Sequence, residues 1–372
     1  MTAFTDPALF RFLLVVSVAI AFAVYTRFHL VGGGSVAGGY LAILAITGQW
    51  QTLLGVALVT VITLIVVRGM ILRLVALPRP AIFVIAVLTG SLITVVLLAL
   101  TPYIEAISGF VGVSIAFGAF VVPGLISYDV SHQGFPRTML ALGAVSAGTV
   151  IICLPAFLLM QGLPAGTENV APIIERIPPE LLPFGIIAAI VIGGVLRFTL
   201  GMRSGGFIGA LFIVEFFTVT AFVTVIAAAL ATHAIARVYD HFVVMSPRQR
   251  SMFALILGAL IAWASLYWAS SLGWAPAMEA NAYTLSPLLA VGRIAADMGR
   301  QNSDALRTVV GTTLAALGIA LGIWLTQTLG LAAGVIYLVT VTALITPAAI
   351  TIARSYAAAA ASGRERVGTI NP

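Results

Sequence analysis

The chain has 372 residues, of which 61% are apolar and 8% charged, against roughly a quarter charged in a soluble domain; this is the composition of a polytopic membrane protein. Its net charge is +6 and every basic residue is an arginine, which excludes a Walker A lysine on phosphates and a Schiff-base lysine for pyridoxal chemistry. The lone Cys153 excludes an internal disulfide, the four histidines show no HExxH or Cys-rich ligand spacing, and no Gly-x-Ser-x-Gly elbow occurs. No catalytic residue, metal ligand or cofactor is therefore assigned, and any bond-making would draw its nucleotide site from a partner.

In chain order, the first apolar run, about 9–26, reads as a spanning helix and not a signal peptide. Asp6 stands where a basic n-region belongs, and a similar run at 182–196 is internal. Further apolar segments follow at about 35–48, 51–74, 81–101, 107–122 and 138–160, then at 182–196, 205–218, 221–243, 251–271, 284–292 and 308–328. A thirteenth, 331–353, has no counterpart. The expected organisation is a membrane repeat over 1–160, a linker over 161–181, a second repeat over 182–328, an added helix within 329–354 and a polar tail over 355–372.

The division into repeats rests on residue pairs. Arg27-Phe28-x-Leu30 and Gly39-x-Leu41-x-Ile43 return 170 positions later as Arg197-Phe198-x-Leu200 and Gly209-x-Leu211-x-Ile213. The register continues with Arg68 and Arg237, Pro78-Arg79 and Pro247-Arg248, and Arg137-Thr138 and Arg307-Thr308. The fold class is all-α and polytopic: two repeats of about six segments, parallel because six is even, plus one helix. Cytoplasmic loops retain positive charge, so an outside N-terminus, which puts sixteen of the eighteen arginines at the inner face, is the expected orientation. The linker, with Glu168, Glu175 and Glu180, then lies outside. The net charge is topology signal and requires no nucleic-acid partner.

Two segments per repeat carry helix-breaking residues. Val31 to Tyr40 includes five glycines, among them Gly38 and Gly39, and Phe117 to Ile126 contains Pro123-Gly124. Broken helices survive in a bilayer only where they are buried or face water, and they point to a substrate path; close packing by small residues is the other reading, notably for Gly38-Gly39. The loop expected after the break supplies Asp129, His132 and Gln133 as positioning groups. In the second repeat Pro287 is followed by Leu288, so the Pro-Gly pair is lost, and about six residues are inserted before Arg307, including Arg293, Asp297, Arg300 and Asp304. On that register Asp129 and His132 have no matching residues. Arg73, Arg203 and Arg250 read as topology determinants, whereas the shared arginines stand between that role and lining a path. Glu215 is functional if it sits at mid-membrane and interfacial if it ends a helix.

At the broken segments the sequence resembles a known family. Gly39-Tyr40-Leu41-Ala42, then Val122-Pro123-Gly124-Leu125-Ile126 and Gln133-Gly134-x-Pro136, are similar to PgsC/CapC, the membrane subunit of bacterial poly-gamma-glutamate synthase; the likeness covers about 25–150, nearly a whole single-copy member. The resemblance implies a non-catalytic or co-catalytic subunit of the cytoplasmic membrane. It further implies association with a PgsB/CapB-like ATP-dependent ligase, a PgsA/CapA-like extracytoplasmic protein and the polyglutamate chain. For a polymer with one carboxylate per residue, Arg27, Arg68, Arg79, Arg137, Arg197, Arg237, Arg248 and Arg307 are candidates for a path or partner surface. Two alternatives remain at this stage: a stand-alone secondary transporter for an organic anion, and a structural anchor for the ligase.

Overall fold

A computed structural model describes residues 7–34, 36–46, 48, 50–74, 79–108, 118–161, 181–215, 219–271, 286–300, 305–343 and 351. The first repeat comprises α1 (Pro7–Phe28), α2 (Ala37–Ile46), α3 (Trp50–Leu64, continued through a π-helical stretch Ile65–Ile71 to Leu74), α4 (Arg79–Ser108), α5 (Gly118–Gln133) and α6 (Phe135–Gln161). The second comprises α7 (Leu182–Thr199), α8 (Gly206–Glu215), α9 (Val219–Tyr239), α10 (Pro247–Ser271), α11 (Ser286–Arg300) and α12 (Ala305–Leu329). A last helix, α13, spans Leu331–Ala343. Each helix of the first repeat has its partner six places later.

Four helices are long and apolar enough to cross a bilayer, and they form two equivalent pairs: α3 with α9, and α6 with α12. Their outward faces are apolar at helical spacing. Trp50, Leu54, Leu58, Val61 and Ile65 are exposed along α3, and Val310, Leu314, Leu317, Leu321 and Trp324 along α12. Such stripes are costly in water and favourable against lipid chains. The ten-residue α2 and α8 are only about 15 Å long, half a hydrocarbon core.

Within each repeat, α1, α2 and α6 (α7, α8 and α12) form one packed group and α3, α4 and α5 (α9, α10 and α11) another. Between repeats the contacts are exchanged: α1 packs on α10, and its equivalent α7 packs on α4, the equivalent of α10. Reciprocal use of the same two surfaces is the signature of a two-fold dimer, here within one chain. Corresponding ends of the repeats also lie together, since Arg79, Arg197 and Arg248 all act electrostatically on Tyr128. The repeats are therefore parallel.

The helix expected to break at Pro123-Gly124 does not break. α5 runs continuously from Gly118 to Gln133 with Pro123 inside it. A proline there cannot donate to the carbonyl of residue 119 and crowds that turn; the Ser91 hydroxyl on α4 donates to the neighbouring Phe120 carbonyl at 3.0 Å. The glycine serves helix crossing. A Cβ on Gly124 would stand 2.4 Å from the Val87 Cα, and one on Gly90 2.9 Å from the Gly124 nitrogen. In the second repeat a Cβ on Gly258 would lie 2.3 Å from the Gly292 Cα, and one on Gly292 2.6 Å from the Leu255 Cα.

This packing corrects the repeat register: Gly124 corresponds to Gly292, not to Leu288, and Pro287 is not the counterpart of Pro123. On the corrected register Val291 replaces Pro123 and Ala259 replaces Ser91. The proline and the serine hydroxyl that bonds beside its turn are thus replaced together in the second repeat.

Three further expectations change. The fifth segment is 118–133 and not 107–122, so the loop expected after the Pro123-Gly124 break is helix on both sides of Gly134, which takes φ 88°. The stretch expected to hold an insertion before Arg307 is α11 as far as Arg300. Gly38 and Gly39 lie inside α2, where added Cβ atoms would stand 2.5 Å from the Val145 side chain and 2.1 Å from Ser17 Oγ; they pack helices, and the chain departs from helix before them, at Gly33 and Gly34. Tyr40 is buried with Leu44, Val56 and Val122. Glu215 is the last residue of α8. The linker after 161, the connection between the apolar segments 251–271 and 284–292, and the tail after 354 lie outside the described residues.

Candidate functional site

The site grows from a turn made twice. After α1, Gly33 and Gly34 both adopt left-handed φ (67° and 74°); after α7, Gly205 and Gly206 do the same (70° and 66°). Residues with a Cβ rarely take that conformation, so the paired glycines are required by the turn. Each turn is seated on an isoleucine: a Cβ on Gly33 would stand 2.7 Å from the Ile126 side chain, and one on Gly205 2.4 Å from Ile294. Three residues beyond each isoleucine is a buried aspartate. Asp129 Oδ2 accepts the Gly34 N–H at 2.9 Å, and Asp297 Oδ2 accepts the Gly206 N–H at 2.9 Å. The Gly33 N–H is directed to Asp129 as well. Successive N–H groups converging on one anion hold a carboxylate away from bulk water at moderate cost.

Asp129 therefore does have a second-repeat counterpart, and the expectation that it lacks one is corrected. Asp129 and Asp297 are 168 positions apart, the offset of Gly124 and Gly292. The expected insertion before Arg307 is not what carries Asp297.

The loop expected to hold Asp129, His132 and Gln133 is the last turn and a half of α5. Gln133 receives the Val31 N–H on Oε1 at 3.2 Å and donates from Nε2 to the Val31 carbonyl and to Thr138 Oγ1, clamping the segment that leads into the glycine turn. His132 is exposed, with Nδ1 on the Tyr128 carbonyl at 2.9 Å and its ring 4.2 Å from that of Tyr128. Tyr128 meets Phe83 edge to face at 5.2 Å.

The arginines divide into groups. Arg248, from the second repeat, reaches Asp129 of the first, Nη2 to Oδ1 3.8 Å, and lies over the Tyr25 ring at 5.3 Å. Its neighbour Gln249 bonds Thr26 at 3.4 Å. Arg197 is half-buried and acts on Tyr128 across the same boundary; Arg79 is exposed and does likewise. Arg27 is exposed in the last turn of α1. Arg203, which sequence reasoning left to topology, pairs with Asp297 at 3.6 Å. The other shared arginines stand elsewhere. Arg307 donates to the Leu200 carbonyl at 2.7 Å, closing the end of α7. Arg137 is exposed at the start of α6, Arg68 is exposed on the π-helical stretch, and Arg237 lines a separate cavity.

At the boundary between repeats, then, two buried carboxylates are already satisfied by backbone N–H groups and face more arginines than they neutralise. Such a surface attracts anions and holds them without bond-making. Among the described residues no cluster of three or more His, Cys, Asp or Glu is placed to hold a metal.

A duplicated all-helical membrane protein with a cationic boundary between its repeats is the class that this architecture defines. Capsule biosynthesis CapC matches residues 16–139 and again 188–309, about two thirds of the chain, and the chain belongs to that family in tandem-duplicated form. It is accordingly a membrane protein of capsule biosynthesis. No curated protein and no solved structure matches it.

Proposed function

We propose that this chain is the membrane subunit of a poly-gamma-glutamate synthesis and export complex in the bacterial cytoplasmic membrane. It recruits a PgsB/CapB-like ATP-dependent amide ligase at its arginine-rich end, works with a PgsA/CapA-like extracytoplasmic protein, and helps the polyanion pass outward. The observation that carries the reading is the convergence of Arg79, Arg197 and Arg248, from both repeats, on the Tyr128–Asp129 turn. A polymer with a carboxylate on every residue needs fixed positive charge where it leaves water. A potential negative inside then favours outward movement by about 2.3 kcal/mol per charge per 100 mV. The two-fold exchange of helices supports a single boundary shared by both repeats as the path, and an arginine end facing the cytoplasm agrees with the positive-inside rule.

The test is complementation. Cells lacking this chain but retaining the ligase should release no polymer, and the intact chain should restore release and co-purify with the ligase. Release that continues without the chain would overturn the reading. Uptake of a small organic anion by liposomes containing this protein alone would favour the secondary transporter instead.

A further inference from the structure

A second polar site lies in the second repeat. Between α9, α10 and α11 lies a cavity of about 270 Å3 lined by His233, Arg237, Asp240, His241 and Arg250, with its remaining wall built from alanines and Gly299. Small walls leave the charged groups to define what the cavity accepts. Arg250 Nε is tied to Asp240 at 2.9 and 3.1 Å, which neutralises one cation. The Arg237 guanidinium has no hydrogen bond or ion pair among the described residues, so one positive charge remains uncompensated. The His241 Nδ1–H donates to the Arg237 carbonyl at 2.8 Å, which fixes the ring beside the arginine. The stacked rings of Tyr239 and Phe253, 4.6 Å apart, brace α9 against α10 beside this group.

Position indicates the ligand. The apolar stretch of α9 is Phe222–Tyr239, so Arg237, Asp240 and His241 stand where hydrocarbon gives way to headgroups. Immediately beyond, Phe242 is 81% exposed and Val244 fully so. An apolar tip beside a cationic cavity at that depth is unfavourable in water and favourable at the boundary of acyl chains and headgroups. In the first repeat, at the offset of 169 that pairs Arg68 with Arg237 and Arg79 with Arg248, the positions of His233, Asp240, His241 and Arg250 are taken by Leu64, Ile71, Leu72 and Ala81. This set of polar residues is a property of the second repeat.

We infer that this cavity binds the phosphate of an anionic phospholipid headgroup, with Phe242 and Val244 inserted among the acyl chains. The second repeat would thereby be held at a fixed depth and orientation by a specific lipid. This goes beyond the role in polymer export and does not depend on it.

The experiment uses the full-length protein in nanodiscs of mixed phosphatidylglycerol and phosphatidylethanolamine, followed by native mass spectrometry of retained lipid. Phosphatidylglycerol should be retained over phosphatidylethanolamine by about fivefold, the scale of one arginine near an anionic surface. Arg237→Gln/His241→Gln should abolish the preference, whereas Arg68→Gln, its first-repeat equivalent, should leave it unchanged. If the double variant does not fold, Phe242→Ser/Val244→Ser decides by lowering retention of both lipids. Equal retention of the two lipids by the intact protein overturns the proposal. Displacement of phosphatidylglycerol by millimolar inorganic phosphate also overturns it, assigning the site to a soluble anion.

Discussion

Arg248 and Asp129 meet at 3.8 Å across the boundary between repeats, whereas the equivalent aspartate, Asp297, takes its cation from Arg203 within its own repeat at 3.6 Å. The two-fold relation is therefore kept in the backbone turns and broken in the ion pairs. The reason is local. The second repeat has eight positions from Arg197 to Gly205, against six from Arg27 to Gly33, and the longer connection carries Arg203. With Asp297 paired by its own loop, Arg79 is left exposed near Tyr128, while Arg197, Arg203 and Arg300 lie within electrostatic reach of Asp297 and Arg293 within reach of Arg197 and Arg300, so a cationic surplus stands on both sides of the boundary.

This arrangement predicts unequal effects at one pair. Asp129→Ala removes the acceptor for the Gly34 N–H and leaves Arg248 without its carboxylate, so it should destabilise by about 1–3 kcal/mol. Arg248→Gln removes a long ion pair and the contact with the Tyr25 ring from a partly exposed arginine and should cost about 1 kcal/mol or less. Thermal unfolding in detergent, followed by circular dichroism, checks the order. An Arg248→Gln loss larger than that of Asp129→Ala would make the ion pair, and not the glycine turn, the main anchor. Asp297→Ala should behave like Asp129→Ala.

The helix crossings give a second prediction. Gly124→Ala and Gly292→Ala each place a methyl into opposing backbone, which cannot yield as a side-chain tip does, and each should cost about 1–3 kcal/mol or prevent stable insertion. Gly143→Ala, where a Cβ meets nothing within 4 Å, should be neutral or slightly stabilising because it sits inside a helix. Expression level and melting temperature of the three variants separate packing from any general sensitivity of glycine positions.

Much of this fold was legible in the sequence. Apolar runs gave the membrane class, and the arginines at their ends gave the repeat, because Arg27/Arg197 and Arg79/Arg248 lie where gaps are few. The α5 and α11 register was not legible. Pro123 looked like a break, and Pro287 then looked like its partner, because proline is the stronger local signal. The residue that matters at the crossing is a glycine, and Gly292 is one glycine among 36. In the sequence the second half of α5 reads as a loop, because it follows Pro123-Gly124 and carries Asp129, His132 and Gln133. In the fold Ser127 donates to the Thr60 carbonyl at 3.1 Å and Ser131 to that of Ser127 at 2.8 Å, so these polar groups are satisfied within or beside a helix. The Arg248–Asp129 pairing spans the two repeats and leaves no trace in spacing.

Orientation is tested by labelling. In a Cys153→Ala background, a cysteine at Thr167 should react with an impermeant thiol reagent in intact spheroplasts, and one at Ser362 should react only after lysis. The opposite pattern would invert the arrangement on which the proposed export down the membrane potential depends.

The last prediction separates a conduit from an anchor. Arg27, Arg197 and Arg248 stand at one end of the bundle, two at helix C-termini and one beside Asp129. If they ease a carboxylate out of water, removing charge while keeping hydrogen-bonding capacity should slow polymer exit. Glutamine does this at each position, without the planar fork or the charge of arginine. The triple Arg→Gln variant should still insert, since most of the eighteen arginines remain to mark the same face, and should still co-purify with the ligase. Polymer should accumulate inside the cell, shorter and less abundant outside. An anchor predicts the reverse dependence: export unchanged wherever the ligase is still bound, and lost only with binding. Normal amount and length of exported polymer from this variant would remove the electrostatic basis of the conduit and leave recruitment as the role of the arginine-rich end.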